Sequence, residues 1–353
     1  MTIPPDRIAE AALRFIAALT TLVFSSFVLI LVLALTSARA EPVCTGTDML
    51  AAMERDDPDA WQSLRSEADA SVNGEAMLWR IETPAGAVSH LYGTMHVTDP
   101  RITTLPPDAQ KAFDAARVLV IETTDILDPA AMMAAMAQNP ELTMFTDRTT
   151  LSSLLGDDDR ERVETALQAR GLSLASLDKM KPWIIAAMVV LPECERAREA
   201  AGAEILDVAL ATRASEAGMK VEGLETTAEQ LGATAALPLD FHIRALVDTL
   251  ALGDWVDDII ETMIVIHQRG EPGLFWPLFK AVLPGGEDDA IAIAGFEQSV
   301  ITDRNRTMAD RVKAYLDAGD AFVAVGALHI PGEEGVVALL REAGFEVTPI
   351  SSR

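Results

Sequence analysis

The sequence predicts an α/β protein: a mostly parallel, mixed sheet with flanking helices and a helical insertion. Three observations predict it. Two short runs, 118–121 and 321–325, are wholly apolar and rich in β-branched residues, as strands buried on both faces must be. Strand and helix patterns alternate at both ends of the chain around a helical middle. The two ends also share one arrangement: an apolar strand, Gly-x-x-His, a proline-containing loop and a helix. No linker rich in Pro, Gly or Ser divides the 353 residues. We therefore expect one domain over residues 41–353, with a helical insertion at about 129–200.

Residues 1–40 stand apart. Arg7 and Arg14 precede an apolar run over 15–35, broken only by Thr20, Thr21, Ser25 and Ser26, and Ser37-Ala38-Arg39-Ala40 follows. That is the pattern of a secretory signal peptide. The run is also long enough to span a bilayer, so an uncleaved N-terminal membrane anchor is the alternative. Either reading exports the rest of the chain, to the periplasm or to the periplasmic side of the inner membrane. Cys44 and Cys194 are the two cysteines. In an oxidising compartment they read as a disulfide, with two separate thiols as the alternative, and they are too far apart for a zinc knuckle.

Residues 44–73 read as helical, and 76–82 with 88–92 as a hairpin that runs directly into Gly93-Thr94-Met95-His96. A helix opens at Pro106-Pro107 and reaches Ala116; the strand 118–121 then ends on Glu122. The pattern is helical over 129–190 and again over 203–216, where Gly218 stops it. A brief strand at 220–225 ends on Glu225. Helices follow over 228–267, then a turn-rich connection over 270–286 carrying Phe275 and Trp276, then a helix over 296–318. The strand 321–325 leads into Gly326-Ala327-Leu328-His329, and a helix and a last strand at 345–350 close the chain.

The formal net charge is −26. So acidic a body is repelled by nucleic acid and by anionic lipid, so neither is expected as a partner. No later apolar run is long enough for a membrane helix. Membrane contact is therefore expected only through the N-terminal segment, if it stays uncleaved.

His96 and His329 each follow a strand by way of a glycine, while Glu122 and Glu225 sit at strand ends. In a mostly parallel sheet all four fall along one rim, where α/β proteins place their ligand sites. Gly93 and Gly326 are expected to allow a sharp turn and a close ligand approach. Two neutral imidazoles and a carboxylate make a metal site with open positions, able to polarise a carbonyl and activate water. The bland alternatives are rim histidines bonded to carbonyls and salt-bridging carboxylates. In the last long helix, Arg304 is placed to meet a substrate carboxylate or a developing oxyanion, or else is an exposed helix arginine. His90, His242 and His267 read as structural or satisfied. Met132, Met133, Met136 and Met144 read as packing, with a flexible lid as the sharper alternative. Asp157-Asp158-Asp159 reads as a solvated helix start, since calcium-loop spacing is missing.

Taken in order, Leu91-Tyr92-Gly93-Thr94-Met95-His96-Val97, Lys181-Pro182-Trp183, Gly223-Leu224-Glu225-Thr226, Arg304-Asn305-x-x-Met308 and Val325-Gly326-Ala327-Leu328-His329 resemble the TraB/GumN family. That family lies within the wider group that includes the Tiki metalloproteases, and the resemblance runs from about Trp79 to the C-terminus. It implies a metal-dependent peptidase, or another acyl-bond hydrolase, using both Gly-x-x-His elements and a glutamate. These map to His96, His329 and Glu122, around a divalent ion such as Mn²⁺, Co²⁺ or Zn²⁺. Glu122 would be a ligand or the general base, Arg304 would steady substrate or oxyanion, and Asn305 and Glu225 are counted with them among the catalytic residues. The substrate would be a small molecule or peptide at the sheet rim. GumN-like bacterial members are associated with polysaccharide gene clusters. More distant relatives include haem-iron-binding lipoproteins and esterases that open macrolide rings. A non-catalytic binding protein for metal, haem or glycan, or an envelope factor, is therefore the second reading.

Overall fold

Six strands form one mixed sheet in the order β4-β3-β5-β2-β1-β6. They are β1 Leu78–Glu82, β2 Val88–Thr94, β3 Val118–Ile121, β4 Lys220–Gly223, β5 Ala321–Gly326 and β6 Glu346–Ile350. The computed structural model describes residues 43–282 and 294–351. The signal-peptide or anchor pattern over 1–40 and the end of the turn-rich stretch, 283–286, lie outside the described residues. From Val43 onward the chain forms one compact unit.

β2, β5, β3 and β4 run parallel to one another, and β1 pairs antiparallel with β2 on one side and β6 on the other. The α/β prediction thus holds, with both antiparallel pairings at one edge. Side chains along each strand alternate between two cores, which is why the runs are apolar throughout. Leu119, Ile121, Phe322, Ala324 and Tyr92 enter one core with Phe113, Leu206, Leu210 and Phe275. Val120, Val323, Val325, Leu91 and Trp79 enter the other with Met308, Val312, Val336 and Leu340. Burying each such large side chain is worth roughly 1.5–3 kcal/mol, so these runs drive assembly of the three layers. The β1–β2 hairpin closes on Gly86, whose φ of 85° favours glycine, while Gly86 N–H donates to the Thr83 carbonyl at 2.8 Å.

Several helices differ from the sequence reading for local reasons. The stretch 44–73 divides into Met49–Asp56 and Pro58–Ala70, because Asp57 caps the second helix and Pro58 cannot continue the first. The supposed turn-rich stretch contains a helix, Phe275–Val282, that buries Phe275, Pro277 and Leu278. Pro277 lies in its first turn, where no intrahelical N–H is needed. The helix read from 296 contains a π-helical turn, Glu297–Thr302, ahead of Asp303–Ala318.

The helices between β3 and β4 build a lobe with its own core of Leu151, Val163, Leu167, Leu177, Ile185 and Val189. Its boundary differs from the expected 129–200, because Leu246 and Leu250 of a later helix, Leu239–Ala251, complete that core. The methionines of Pro129–Gln138 are not packed as expected. Met133 is exposed and Met132 and Met136 are half-buried, since Met and Ala are spread around the helix rather than along one face; Met144, beyond that helix, is half-buried and bridged to Met180. Among the described residues no helix is long and apolar enough to cross a membrane.

The sheet positions the site. After β3 the chain continues outward to β4, whereas after β5 it passes to the opposite edge and β6. The loops leaving two adjacent parallel strands therefore diverge, and a crevice opens above their C-terminal ends. Thr94 is level with Gly326, and Ile121 with both Ala324 and Gly223. The residues just beyond all four strands consequently meet at one rim.

Candidate active site

The best-fixed group at the rim is His329, in the short 3₁₀ turn Ala327–His329 after β5. Its Nδ1 lies 2.6 Å from Asn305 Oδ1, and Asn305 Nδ2 donates to the Glu334 carbonyl at 2.9 Å. That second bond sets the amide orientation, so Nδ1 carries the proton and Nε2 presents a lone pair. Nε2 faces Glu122 Oε1 at 3.8 Å. Burial holds the imidazole at about 4, outweighing the pull of Glu122, so it is neutral at pH 7.

Glu122 is buried but ionised. Burial alone would raise its pKa; His329, Arg304, His96 and the Gly326 N–H outweigh it and hold the carboxyl at about 2. Oε1 accepts from Gly326 N–H at 2.7 Å, and Oε2 accepts from Arg304 Nη2 at 2.6 Å and Gln230 Nε2 at 3.1 Å. Arg304 also grips Glu225, with Nε 3.1 Å from both carboxylate oxygens and Nη2 at 2.7 Å. Arg304 was expected to meet a substrate carboxylate or an oxyanion; instead it is committed to two protein carboxylates. Its role is to hold Glu122.

His96 is the exposed member, its side chain 59 % exposed, with Nε2 3.7 Å from Asp207 Oδ2. Asp207, on the helix Leu206–Glu216, is the residue that sequence reasoning missed. Its Oδ1 accepts from Thr94 Oγ1 at 3.0 Å, but its buried Oδ2 has no hydrogen-bond partner. Burial and the nearby Glu122 charge raise its pKa against the pull of His96. An acidic residue in a helix's first turn is ordinary, so no local signal separated Asp207 from Asp157 or Asp158.

The motif glycines are needed for room rather than for unusual backbone. Gly326 has φ −53°, open to any residue, but a Cβ there would stand 3.1 Å from Glu122 Oε1. A Cβ on Gly93 would meet Ile330 Cδ1 at 2.7 Å and the Ala327 backbone at 3.2 Å. The expected sharp turn therefore gives way to close packing of the two motifs on each other. His267 Nε2 donates to the Gly93 carbonyl at 2.9 Å and fixes the first motif from below. His242, read as satisfied, keeps a buried Nε2 without a partner.

The loop after His96 is tied to the helical lobe. Thr98 N–H and Oγ1 each donate to Glu195 Oε2 at 2.7 Å, and Arg198 donates to Glu195 Oε1 at 2.7 Å. Beside Glu195, Cys194 forms a disulfide with Cys44, so the pair left open between a bridge and two thiols is bonded.

His96, Glu122, Arg304 and His329 line one cleft of about 310 Å³. The donor chemistry there fits a divalent ion. A neutral lone pair at His329 Nε2 faces an anionic oxygen of Glu122 at 3.8 Å, with His96 on the same cleft. Electron-rich atoms so placed call for a positive charge between them. Among the described residues no three His, Cys, Asp or Glu donors already converge on one point. His329 and Glu122 are fixed, and exposed His96 is the group free to close the gap.

Two predictions arise here. Asn305 sets the His329 tautomer from outside the ion's own contacts, so Asn305→Ala should weaken divalent-ion affinity about 10–100-fold, read by competition with a chelating dye. The second concerns pH, in protein stripped of metal. An unfolded chain takes up a proton at His329 near pH 6.5, whereas the folded chain does not until about 4. This contribution to stability is therefore full above pH 6.5 and falls as pH drops toward 4, by up to about 3 kcal/mol. Urea unfolding at pH 7 and 4.5 should show a shallower fall for His329→Gln than for wild type; equal falls would refute neutral burial.

The fold and site together define an α/β protein with a histidine–carboxylate centre at a sheet rim. The chain belongs to the TraB/PrgY/gumN family, whose model matches residues 77–349. Two zebrafish (Danio rerio) proteins are similar to it. Metalloprotease TIKI2 is 25 % identical over 82 % of this chain and 64 % of its own length. Metalloprotease TIKI1 is 25 % identical over 77 % and 62 %. The chain thus spans less than two thirds of either relative. No solved structure matches it significantly.

Proposed function

We propose that this protein is an exported, metal-dependent hydrolase of acyl bonds, peptide bonds first among them. The observation that carries the proposal is the pairing of His329 Nε2 with the ionised Glu122 beside exposed His96, around one cleft. The likeness to two metalloproteases supports the reading, and the signal-like segment 1–40 supports export. His96, His329 and Glu122 would hold the ion, with Mn²⁺, Co²⁺ or Zn²⁺ all compatible with two imidazoles and a carboxylate. A divalent ion there would supply Lewis acidity toward the substrate carbonyl and lower the pKa of water.

The chain's own residues divide the remaining work by environment. Glu122, held at about 2, stays an anion throughout and is a poor proton acceptor. Asp207 has an unpartnered oxygen beside His96 and a raised pKa, which suits it to take the proton of the attacking water. Opposite displacement of two neighbouring carboxylates is the arrangement expected of such a division. Thr94 orients Asp207, while Arg304 and Gly326 N–H orient Glu122.

A panel of peptides and carboxylic esters, incubated with the purified chain, tests this. Cleavage should appear with Mn²⁺, Co²⁺ or Zn²⁺, vanish with a chelator and return when ion is added back. Tight ion binding with no panel member cut would instead favour a binding protein.

A further inference from the structure

Away from its polar end the cleft changes character. Beyond Thr94, His96, Glu122, Arg304 and His329, its wall includes Leu191, Met263, Phe296, Val300 and Leu328. These five are half-buried rather than enclosed, so each leaves apolar surface uncovered. They come from four separate segments: the end of the helical lobe, the helix Trp255–Arg269, the π-helical turn with Phe296 just before it, and the second Gly-x-x-His element. Single exposed apolar side chains are ordinary, but five gathered beside reactive groups make a binding pocket. At about 310 Å³ the cleft is at the small end of ligand pockets, enough for an acyl group and one large side chain.

Charge narrows the occupant further. Arg304 is the one Lys or Arg among the described residues lining the cleft, and Glu122 and Glu225 already occupy it. Apart from the ion that the scissile carbonyl would meet, an anionic substrate side chain would find no uncommitted Lys or Arg among the described residues of the cleft, and would approach a chain of formal charge −26. We infer that the cleft selects uncharged acyl substrates bearing a bulky aliphatic or aromatic group beside the scissile carbonyl, and rejects acidic ones. This rests on the hydrolase reading above, and the test separates the two.

The experiment uses the full chain and hexapeptides with Gly, Leu, Phe or Glu on either side of the central bond. With ion supplied, kcat/KM for Leu or Phe should exceed that for Gly by about tenfold or more, and the Glu peptides should be the poorest. Leu191→Ser and Val300→Ser, each checked for an unchanged unfolding midpoint, should both shrink that preference. The same peptides are titrated calorimetrically into chelated protein, where no cleavage occurs. Cleavage with Gly and Leu within about twofold of each other, or with Glu preferred, overturns the inference and leaves the hydrolase standing. No cleavage, but tighter binding of Leu and Phe peptides that depends on Leu191, supports the pocket and sinks the hydrolase. Neither cleavage nor preferential binding overturns both.

Discussion

Asp207→Asn is expected to lower kcat by about 10²–10⁴-fold, the usual worth of a positioned general base, while leaving bound divalent ion unchanged. The amide is nearly isosteric and can still accept from Thr94 Oγ1, now 3.0 Å from Asp207 Oδ1, so the helix start should not move. What it cannot do is take a proton. Glu122→Gln should fail differently, losing ion and activity together, because it removes the anion that Arg304 and Gly326 N–H hold against His329. Loss of ion from Asp207→Asn, with Glu122→Gln keeping its ion, would reverse the two assignments.

Arg304→Met should carry the largest cost in stability. Glu122 and Glu225 are both buried, and one guanidinium pairs with both. Removing one partner from a buried ion pair costs about 3–5 kcal/mol, because uncompensated charge stays behind. In a chain of this size that lowers the unfolding midpoint by on the order of 10 °C. Adding Glu225→Gln should recover part of the loss, since one stranded carboxylate is then gone. A drop below about 1 kcal/mol for Arg304→Met, typical of exposed pairs, would contradict the clamp.

The sheet was legible in the sequence because strands buried on both faces leave wholly apolar runs, and 118–121 and 321–325 are such runs. Strand β1 was legible for a different reason: its hairpin partner follows after a short turn at Gly86. Helix boundaries were less legible. Phe275–Val282 contains a proline and follows another, which reads as punctuation until Phe275 and Leu278 are seen to face the sheet's core. The lobe's extent was hidden because Leu246 and Leu250 reach it from a helix after β4.

At the site, the residues following strands were visible as a set, since a strand end marks a position on the rim. Their partnerships were not. The chain does not announce that Arg304 would spend its donors on Glu122 and Glu225, because that pairing spans separations of 182 and 79 residues. Asp207 lay on a helix rather than at a strand end, in a position where acids are common for reasons of helix polarity. Its distinction is an oxygen without a partner, which only three-dimensional packing produces.

The central claim, that the two Gly-x-x-His elements and Glu122 form a divalent-ion centre, is tested most directly by metal analysis of the purified full chain. Wild type, His96→Ala and His329→Ala are each saturated with Mn²⁺, Co²⁺ or Zn²⁺, freed of excess and measured by elemental mass spectrometry. We predict bound ion in wild type and its loss from both variants, with unfolding midpoints showing that both remain folded. Equal ion content in all three proteins would contradict the account.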